Sequence, residues 1–213
     1  MKRIVLFLVV FGIAASMYAQ SQLPPYRFAA GSWEFSSERL LQKDANARLA
    51  KVNFQAPQSG PMVYEFNALY EGGAEDGHGG FGLHIFGDKA YNGASWGNGN
   101  SYLLWLNYDE NPINRAIPKG LSAQVYRSHT NSWMDLVQSV DLNVYADYLT
   151  DESLSAPVSF KITADGNTGE VRVYDPIDPD TYYFFYVTTK DIPLNGNWAA
   201  LRTNGIKLSF ALD

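Results

Sequence analysis

The chain has 213 residues, is 46% hydrophobic and 18% charged, and carries a formal net charge of −6 at pH 7. A chain this apolar can bury enough surface to offset its ordering entropy, which excludes a disordered protein. Its 14 Tyr, 12 Phe and 5 Trp beside 18 Gly and 10 Pro are the composition of strands and turns, not of a coiled coil or helical repeat.

The first stretch, Met1–Ala19, reads as a secretory signal. Lys2 and Arg3 form a positive n-region, and Ile4 to Ala15 is an unbroken apolar run. Such a run is too short to cross a bilayer, which needs ~20 residues. Ala19 is the expected cleavage point; cleavage after Ser16, with Ala14 at −3, is the alternative. The mature chain is expected in the periplasm or outside the cell. Without Lys2 and Arg3, the 16 basic residues become 14 against 22 acidic ones, a net −8. An acidic chain with no basic run is a poor partner for nucleic acid or an anionic membrane surface. There is no Cys, hence no disulfide framework, thiolate metal site, Cys nucleophile or acylated N-terminal Cys. No second apolar stretch approaches spanning length, and no linker or repeat divides residues 20–213, which are expected to form one domain.

Period-2 alternation then predicts strands broken by Gly, Asn, Asp and Pro. Arg27–Ser36 reads as one strand, and Leu40–Val52 holds at most one short strand. Met62–Glu71 alternates, with Tyr64, Phe66, Ala68 and Tyr70 on one face and Glu65 and Asn67 on the other. Gly72–Gly80 reads as a loop, Phe81–Gly87 as a strand with His84 opposite Leu83 and Ile85, and Asp88–Asn100 as a polar loop carrying Tyr91 and Trp96. Ser101–Glu110 is a strand. Leu121–His129 and Trp133–Val140 make a hairpin, and Val144–Leu149 is a helical turn or irregular strand. Val158–Ala164 and Glu170–Tyr174 flank a second hairpin turn, Asp165-Gly-Asn-Thr-Gly169. Thr181–Thr189 is an aromatic strand. Trp198–Thr203 and Ile206–Leu212 are predicted to form a terminal hairpin around Asn204-Gly205, a type I′ signal. Eleven or twelve short strands without a long helix predict an all-β chain of two stacked antiparallel sheets, with Phe160 and Ile162 in the core.

The order of several segments resembles the concanavalin A-like lectin/glucanase superfamily, including laminin-G-like and related bacterial jelly rolls. The segments are Trp33 with Leu41-Gln42, Tyr64-Glu-Phe-Asn67, Gly80-Phe-Gly-Leu-His-Ile-Phe86, Val158-Ser-Phe-Lys-Ile162, Gly169-Glu-Val-Arg-Val-Tyr174, Gly196 with Ala200-Leu-Arg-Thr203, and Leu208-Ser-Phe210. They span most of residues 20–213 and imply a jelly-roll β-sandwich. That fold hosts lectins, glycosidases and structural modules alike.

Three kinds of site fit residues of this chain. One branch of the superfamily hydrolyses glycans with Glu-x-Asp-x-Glu on one strand; here the corresponding positions are Glu65, Asn67 and Leu69, and no i, i+2, i+4 acidic triplet exists. Glu65 could still pair with Asp109 or Asp135 from another strand, as glycoside hydrolysis needs two carboxyl groups ~5–9.5 Å apart. The resemblance also implies loop calcium, and Asn107, Asp109 and Asn111, or Asp175, Asp178 and Asp180, carry the oxygen ligands calcium takes. Both sets are equally ordinary turn formers. No other cofactor is expected, and the three His residues come with no Gly-x-Ser-x-Gly elbow. The third site is a glycan face. Aromatic rings stack on the apolar faces of sugars while amides and carboxylates bind their hydroxyls. The polar sides of the predicted strands offer Glu65, His84, Trp105, Asn107, Asp109, Gln124, Tyr126, Trp133 and Asp135, with Trp96 on the neighbouring loop. The competing reading puts Trp105 and Tyr126 in the core, with shifted registers scattering the set. The leading expectation is an exported, non-catalytic carbohydrate-binding sandwich. The alternatives are an interaction subunit of an envelope or appendage assembly, with an envelope protein as partner, and a glycoside hydrolase or lyase.

Overall fold

The computed structural model describes residues 23–36, 38–148, 151–186 and 190–212. The expected signal Met1–Ala19 lies outside them, as do residues 187–189 of the last aromatic strand. Fourteen strands are described: β1 (Tyr26–Ala30), β2 (Trp33–Ser36), β3 (Arg39–Gln42), β4 (Ala50–Ser59), β5 (Pro61–Gly73), β6 (His78–Gly87), β7 (Ser101–Asp109), β8 (Gly120–Ser128), β9 (Met134–Asp141), β10 (Val158–Asp165), β11 (Glu170–Tyr174), β12 (Tyr182–Tyr186), β13 (Asn195–Asn204) and β14 (Ile206–Leu212). Between β9 and β10 lie a 3-10 turn, Asn143–Tyr148, and one helical turn, Asp151–Leu154. The strands form two seven-stranded sheets, ordered β1-β4-β13-β6-β7-β8-β9 and β12-β11-β10-β5-β14-β3-β2. All pairs are antiparallel. The architecture is the expected two-layer β-sandwich.

Alternation places one face of each sheet in the shared core. The first sheet contributes Val52, Leu201, Leu83, Leu104 and Val125; the second contributes Phe66, Ile162, Val171, Leu208 and Phe210. Phe66, Phe81, Phe160 and Phe210 meet between the layers. Phe66 and Phe160 are stacked at 5.4 Å, and Phe81 meets Phe160 edge-on at 5.3 Å. Such pairs add to simple area burial.

Three connections differ from the sequence reading. The expected strand Arg27–Ser36 is two strands in different sheets. Gly31, at φ +87°, turns the chain where a Cβ would stand 2.5 Å from that of Ala50. The stretch 40–52 likewise divides between β3 in the second sheet and β4 in the first. The Asn204-Gly205 turn does not close a hairpin, because β13 and β14 belong to different sheets. A type I′ turn needs positive φ at both central residues, and of these two only Gly205 has it, at +64°. The corner is held by neighbouring loops instead: the Gly205 amide donates to the Ala47 carbonyl, and Asn204 Oδ1 accepts from the Leu49 amide. The Asp165–Gly169 turn does close the β10–β11 hairpin.

Phe210 is fully buried, whereas Phe160 is only partly so and borders the core. Phe210→Ala is expected to cost about 3–5 kcal/mol, and Phe160→Ala less than that. Urea unfolding of the two variants checks the order; a larger loss at Phe160 would contradict this packing.

Candidate functional site

Three cross-strand rows form the middle of the first sheet's outer face. Strand pairing aligns Lys51, Arg202, Gly82, Trp105, Gln124 and Ser139 in one row. The next holds Asn53, Ala200, His84, Leu103, Tyr126 and Leu136. On the other side, Asn204, Gly80, Asn107 and Ser122 align. Directly opposed residues share a face, so this is one continuous polar and aromatic surface. It divides into a covered half and an open half.

Residues 88–100 cover the half over β4, β13 and β6. The loop is closed at its base, where the Asp88 amide donates to the Asn100 carbonyl and the Asn100 amide to Asp88 Oδ1. Arg202 reaches up from β13, donating to the Ser95 carbonyl at 2.6 Å and to the Trp96 carbonyl. Lys51 Nζ donates to Ser95 Oγ at 3.0 Å, and Asn53 Nδ2 to the Tyr91 carbonyl at 3.0 Å. Lys51 and His84 are fully buried and Arg202 is 2% exposed. Burial, and secondarily the charge of Arg202, hold the Lys51 ammonium down at about 8; burial lowers Arg202 to about 10. His84 lies well below the ordinary imidazole range, first through burial and then through Arg202 and Lys51. Ser101 Oγ has one proton and donates it to the Asn98 carbonyl at 3.1 Å. The His84 ring is therefore assigned as donor at Nδ1 to Ser101 Oγ, 3.0 Å away, leaving Nε2 as acceptor facing Arg202 Nη1 at 3.4 Å.

The open half is carried by Trp105 and Tyr126. A Cβ on Gly80 would stand 2.6 Å from Trp105 Cζ2, and one on Gly82 would stand 2.9 Å from Cε3. The indole thus lies across β6 on a bed that only glycine leaves clear. Its Nε1 donates to Asn107 Oδ1 at 3.1 Å, fixing the ring edge. Tyr126 donates its hydroxyl to Gln124 Oε1 at 3.0 Å, and Gln124 Nε2 donates to Ser122 Oγ at 2.8 Å. Both rings are partly exposed, while Gln124 and Ser122 are buried beneath them.

The structure brings together His84, Trp105, Asn107, Gln124 and Tyr126, with Asp109 farther along β7, 3.9 Å from His78 Nε2. Trp96 stands 61% exposed on the covering loop. His84 belongs to the covered half and supports the loop. Three expected members are elsewhere. Glu65 is on the second sheet, exposed and 3.8 Å from Lys161 of the adjacent strand. It cannot form a catalytic pair with Asp109 or Asp135, which belong to the first sheet. Trp133 and Asp135 are on the wrong side. A bulge between Val125 and Tyr126 in the β8–β9 pairing sets Asp135 opposite Arg127, not Tyr126. One inserted residue flips every side chain beyond it. Arg127 lies over Tyr102, a core ring. Trp133 instead stacks on His129 at 4.3 Å, with both rings bonded to Asp135.

The other acidic loops act as turns. Asp109 Oδ1 accepts from the Asn111 amide, Asp175 Oδ1 from the amides of Ile177 and Asp178, and Asp178 from the Asp180 amide and the Thr181 hydroxyl. Among the described residues no three His, Cys, Asp or Glu converge on a metal-sized space.

Sequence reasoning missed Lys51, Asn53, Arg202 and the glycine bed. A lone Lys or Arg in an alternating strand ordinarily faces solvent, and the Gly79-Gly80 pair reads as loop. The signal that was available is Gly80-Phe-Gly82, small residues on alternate positions of a strand beside a Trp-bearing one.

No protein-family model and no curated protein matches this chain. Solved structures do. The carbohydrate-binding module CBM66 from Bacillus subtilis superposes with a TM-score of 0.56 at 13% identity, covering 90% of this chain and 94% of that one. The shared fold is a two-sheet antiparallel jelly-roll β-sandwich. A legume lectin-like domain from Entamoeba histolytica has a TM-score of 0.51 at 13% identity, covering 88% and 86% of the two chains. The CBM2 module of an evolved Dit protein from Lactobacillus casei BL23 phage J-1 has 0.53 at 11% identity, covering 86% and 77%. At these identities the likeness is one of fold.

The neutral imidazole has a consequence for pH. His84 is kept unprotonated in the folded state, whereas the unfolded chain binds a proton near pH 6.5. The unfolded state therefore takes up more protons as pH falls, and stability is lost below about 6.5. Lys51 acts with the same sign at higher pH: its folded value is lowered, so stability rises as pH climbs from about 8 toward 10. Melting temperatures from pH 5 to 10 should climb through both windows. His84→Gln should flatten the acid one, and an unchanged acid slope in that variant would contradict the assignment.

Proposed function

We propose that this protein is an exported, non-catalytic carbohydrate-binding domain whose ligand lies on the open half of the first sheet's outer face. The observation that carries this reading is Trp105, an indole laid across a glycine bed and fixed at its edge by Asn107. A ring held in one orientation before binding loses little entropy when a sugar stacks on it. Tyr126, oriented by Gln124, supplies a second ring. The structural relatives named as carbohydrate-binding modules or lectin-like domains support the class of ligand, and the separation of Glu65 from Asp109 and Asp135 supports a binding role over glycoside hydrolysis. Export rests on Met1–Ala19.

A second reading, an interaction subunit of an envelope assembly, is favoured by a different surface. Tyr26 and Phe28 are 46% and 41% exposed on β1, an edge strand, and exposed aromatics on an unpaired edge suit a protein partner.

A glycan array on residues 20–213 decides between the two. With a bound glycan identified, Trp105→Ala should abolish measurable affinity. Trp96→Ala should leave the melting temperature nearly unchanged and weaken binding by about 0.5–1.5 kcal/mol, the magnitude of aromatic stacking. Full affinity in Trp105→Ala would sink the proposed face, and an array with no bound glycan would hand the lead to the second reading. N-terminal sequencing of protein secreted by the native host should begin at Gln20 or Met17; retention of Lys2 would refute export by cleavage.

A further inference from the structure

Lys51 and Arg202 are directly opposed on β4 and β13, and both are buried. Like charges placed opposite one another in a sheet repel, and a buried charge is normally paired with an opposite one. Here, among the described residues, no Asp or Glu oxygen lies within 4.0 Å of either. Their polar partners are the Ser95 and Trp96 carbonyls, Ser95 Oγ and the His84 ring. Those groups satisfy hydrogen bonds but supply no negative charge. The chain as a whole is acidic, at −6, so a positive pair left uncompensated stands out against its surroundings.

The pair borders the open half of the face. Arg202 and Trp105 are in one cross-strand row with only Gly82 between them, and glycine interposes no side chain. Tyr126 is near enough to Arg202 for the two to couple electrostatically. In the low dielectric beneath the loop the field of the pair is poorly screened and extends toward the two rings. Asp109, the acidic residue of β7 on this face, stands two positions beyond Asn107, away from the pair.

We propose that the ligand is an anionic glycan, whose carboxylate or sulfate group lies beside the covering loop, next to Trp105 and Tyr126, and supplies the missing counter-charge to Lys51 and Arg202. The inference rests on the proposed glycan face and deepens it by naming the chemical class of the sugar. The aromatic rings take the sugar ring, and the buried cations select its charge. They do so at a distance, as buried charge commonly sets specificity more than raw affinity. The anion need not displace the loop, because the Ser95 and Trp96 carbonyls remain bonded to Arg202.

Two pairs of probes differ only in charge: polygalacturonate against its fully methyl-esterified form, and dextran sulfate against dextran. The expected result in calorimetry at pH 7 is a preference of about tenfold or more for the charged member of at least one pair. The pair that shows it identifies carboxylate or sulfate as the group recognised. Lys51→Met should remove most of that preference, and Trp105→Ala should abolish binding to the charged probe. A general polyelectrolyte effect would survive Trp105→Ala, and that survival overturns the proposal. Equal binding within both pairs also overturns it while leaving the glycan face standing. No binding to any of the four, together with an array that holds no glycan, removes the glycan face and this inference together. The wild-type comparison stands whether or not Lys51→Met folds.

Discussion

A guanidinium with no carboxylate beside it among the described residues organises the outer face of the first sheet. Arg202 lies in the middle of that sheet, on β13, and its charge must be solvated by something. Two carbonyls of the 88–100 loop do this, and Lys51 and Asn53 add two more bonds to the same loop. The loop is in turn stitched to the β8–β9 turn, through the Gly97 amide on the Asn131 carbonyl and Ser95 Oγ on Asn131 Oδ1. A stretch rich in Gly and Asn, which would cost much entropy to order by itself, is thereby held as a cap over half of the face.

The other half stays open because of what lies beneath Trp105. Side chains at positions 80 and 82 would occupy the space that the indole fills. With glycine at both, the largest side chain on the face is laid down on its neighbouring strand and bonded by Asn107. The buried Gln124 amide beside Tyr126 works the same way, trading ligand contact for orientation. The result is a surface with few exposed polar groups but two rings held in place, next to an unbalanced positive field. Packing and electrostatics there have separate sources: β6, β7 and β8 place the rings, while β4 and β13 supply the charge.

The jelly-roll fold does not choose a function. What distinguishes this chain is how its outer face is filled, and two register details decide that. The β8–β9 bulge removes Trp133 and Asp135 from the face and leaves them as a self-contained cluster with His129. The division of β5 and β7 between sheets removes Glu65. Glu65 and Asp135 alternate correctly within their own strands, and none of the three shares the surface of Trp105.

Much of this was legible in the amino-acid order. Apolar alternation in Met62–Glu71 and Val158–Ala164 determined which face of β5 and β10 is core, because a strand's period of two is local and needs no partner. The predicted strands Ser101–Glu110 and Leu121–His129 likewise placed Trp105, Asn107, Gln124 and Tyr126 together, since adjacent strands in unbroken register keep their faces aligned. Trp96 among Gly and Asn was legible as an exposed ring. Tertiary structure alone decided the rest. Which sheet a strand joins depends on corners such as Gly31 and Gly205, whose direction is set by distant contacts with Ala50 and Ala47. The bulge opposite Tyr126 depends on how two strands pair, not on either sequence. Lys51 and Arg202 are 151 positions apart, and only the pairing of β4 with β13 turns two ordinary surface cations into a buried pair that has no carboxylate partner among the described residues.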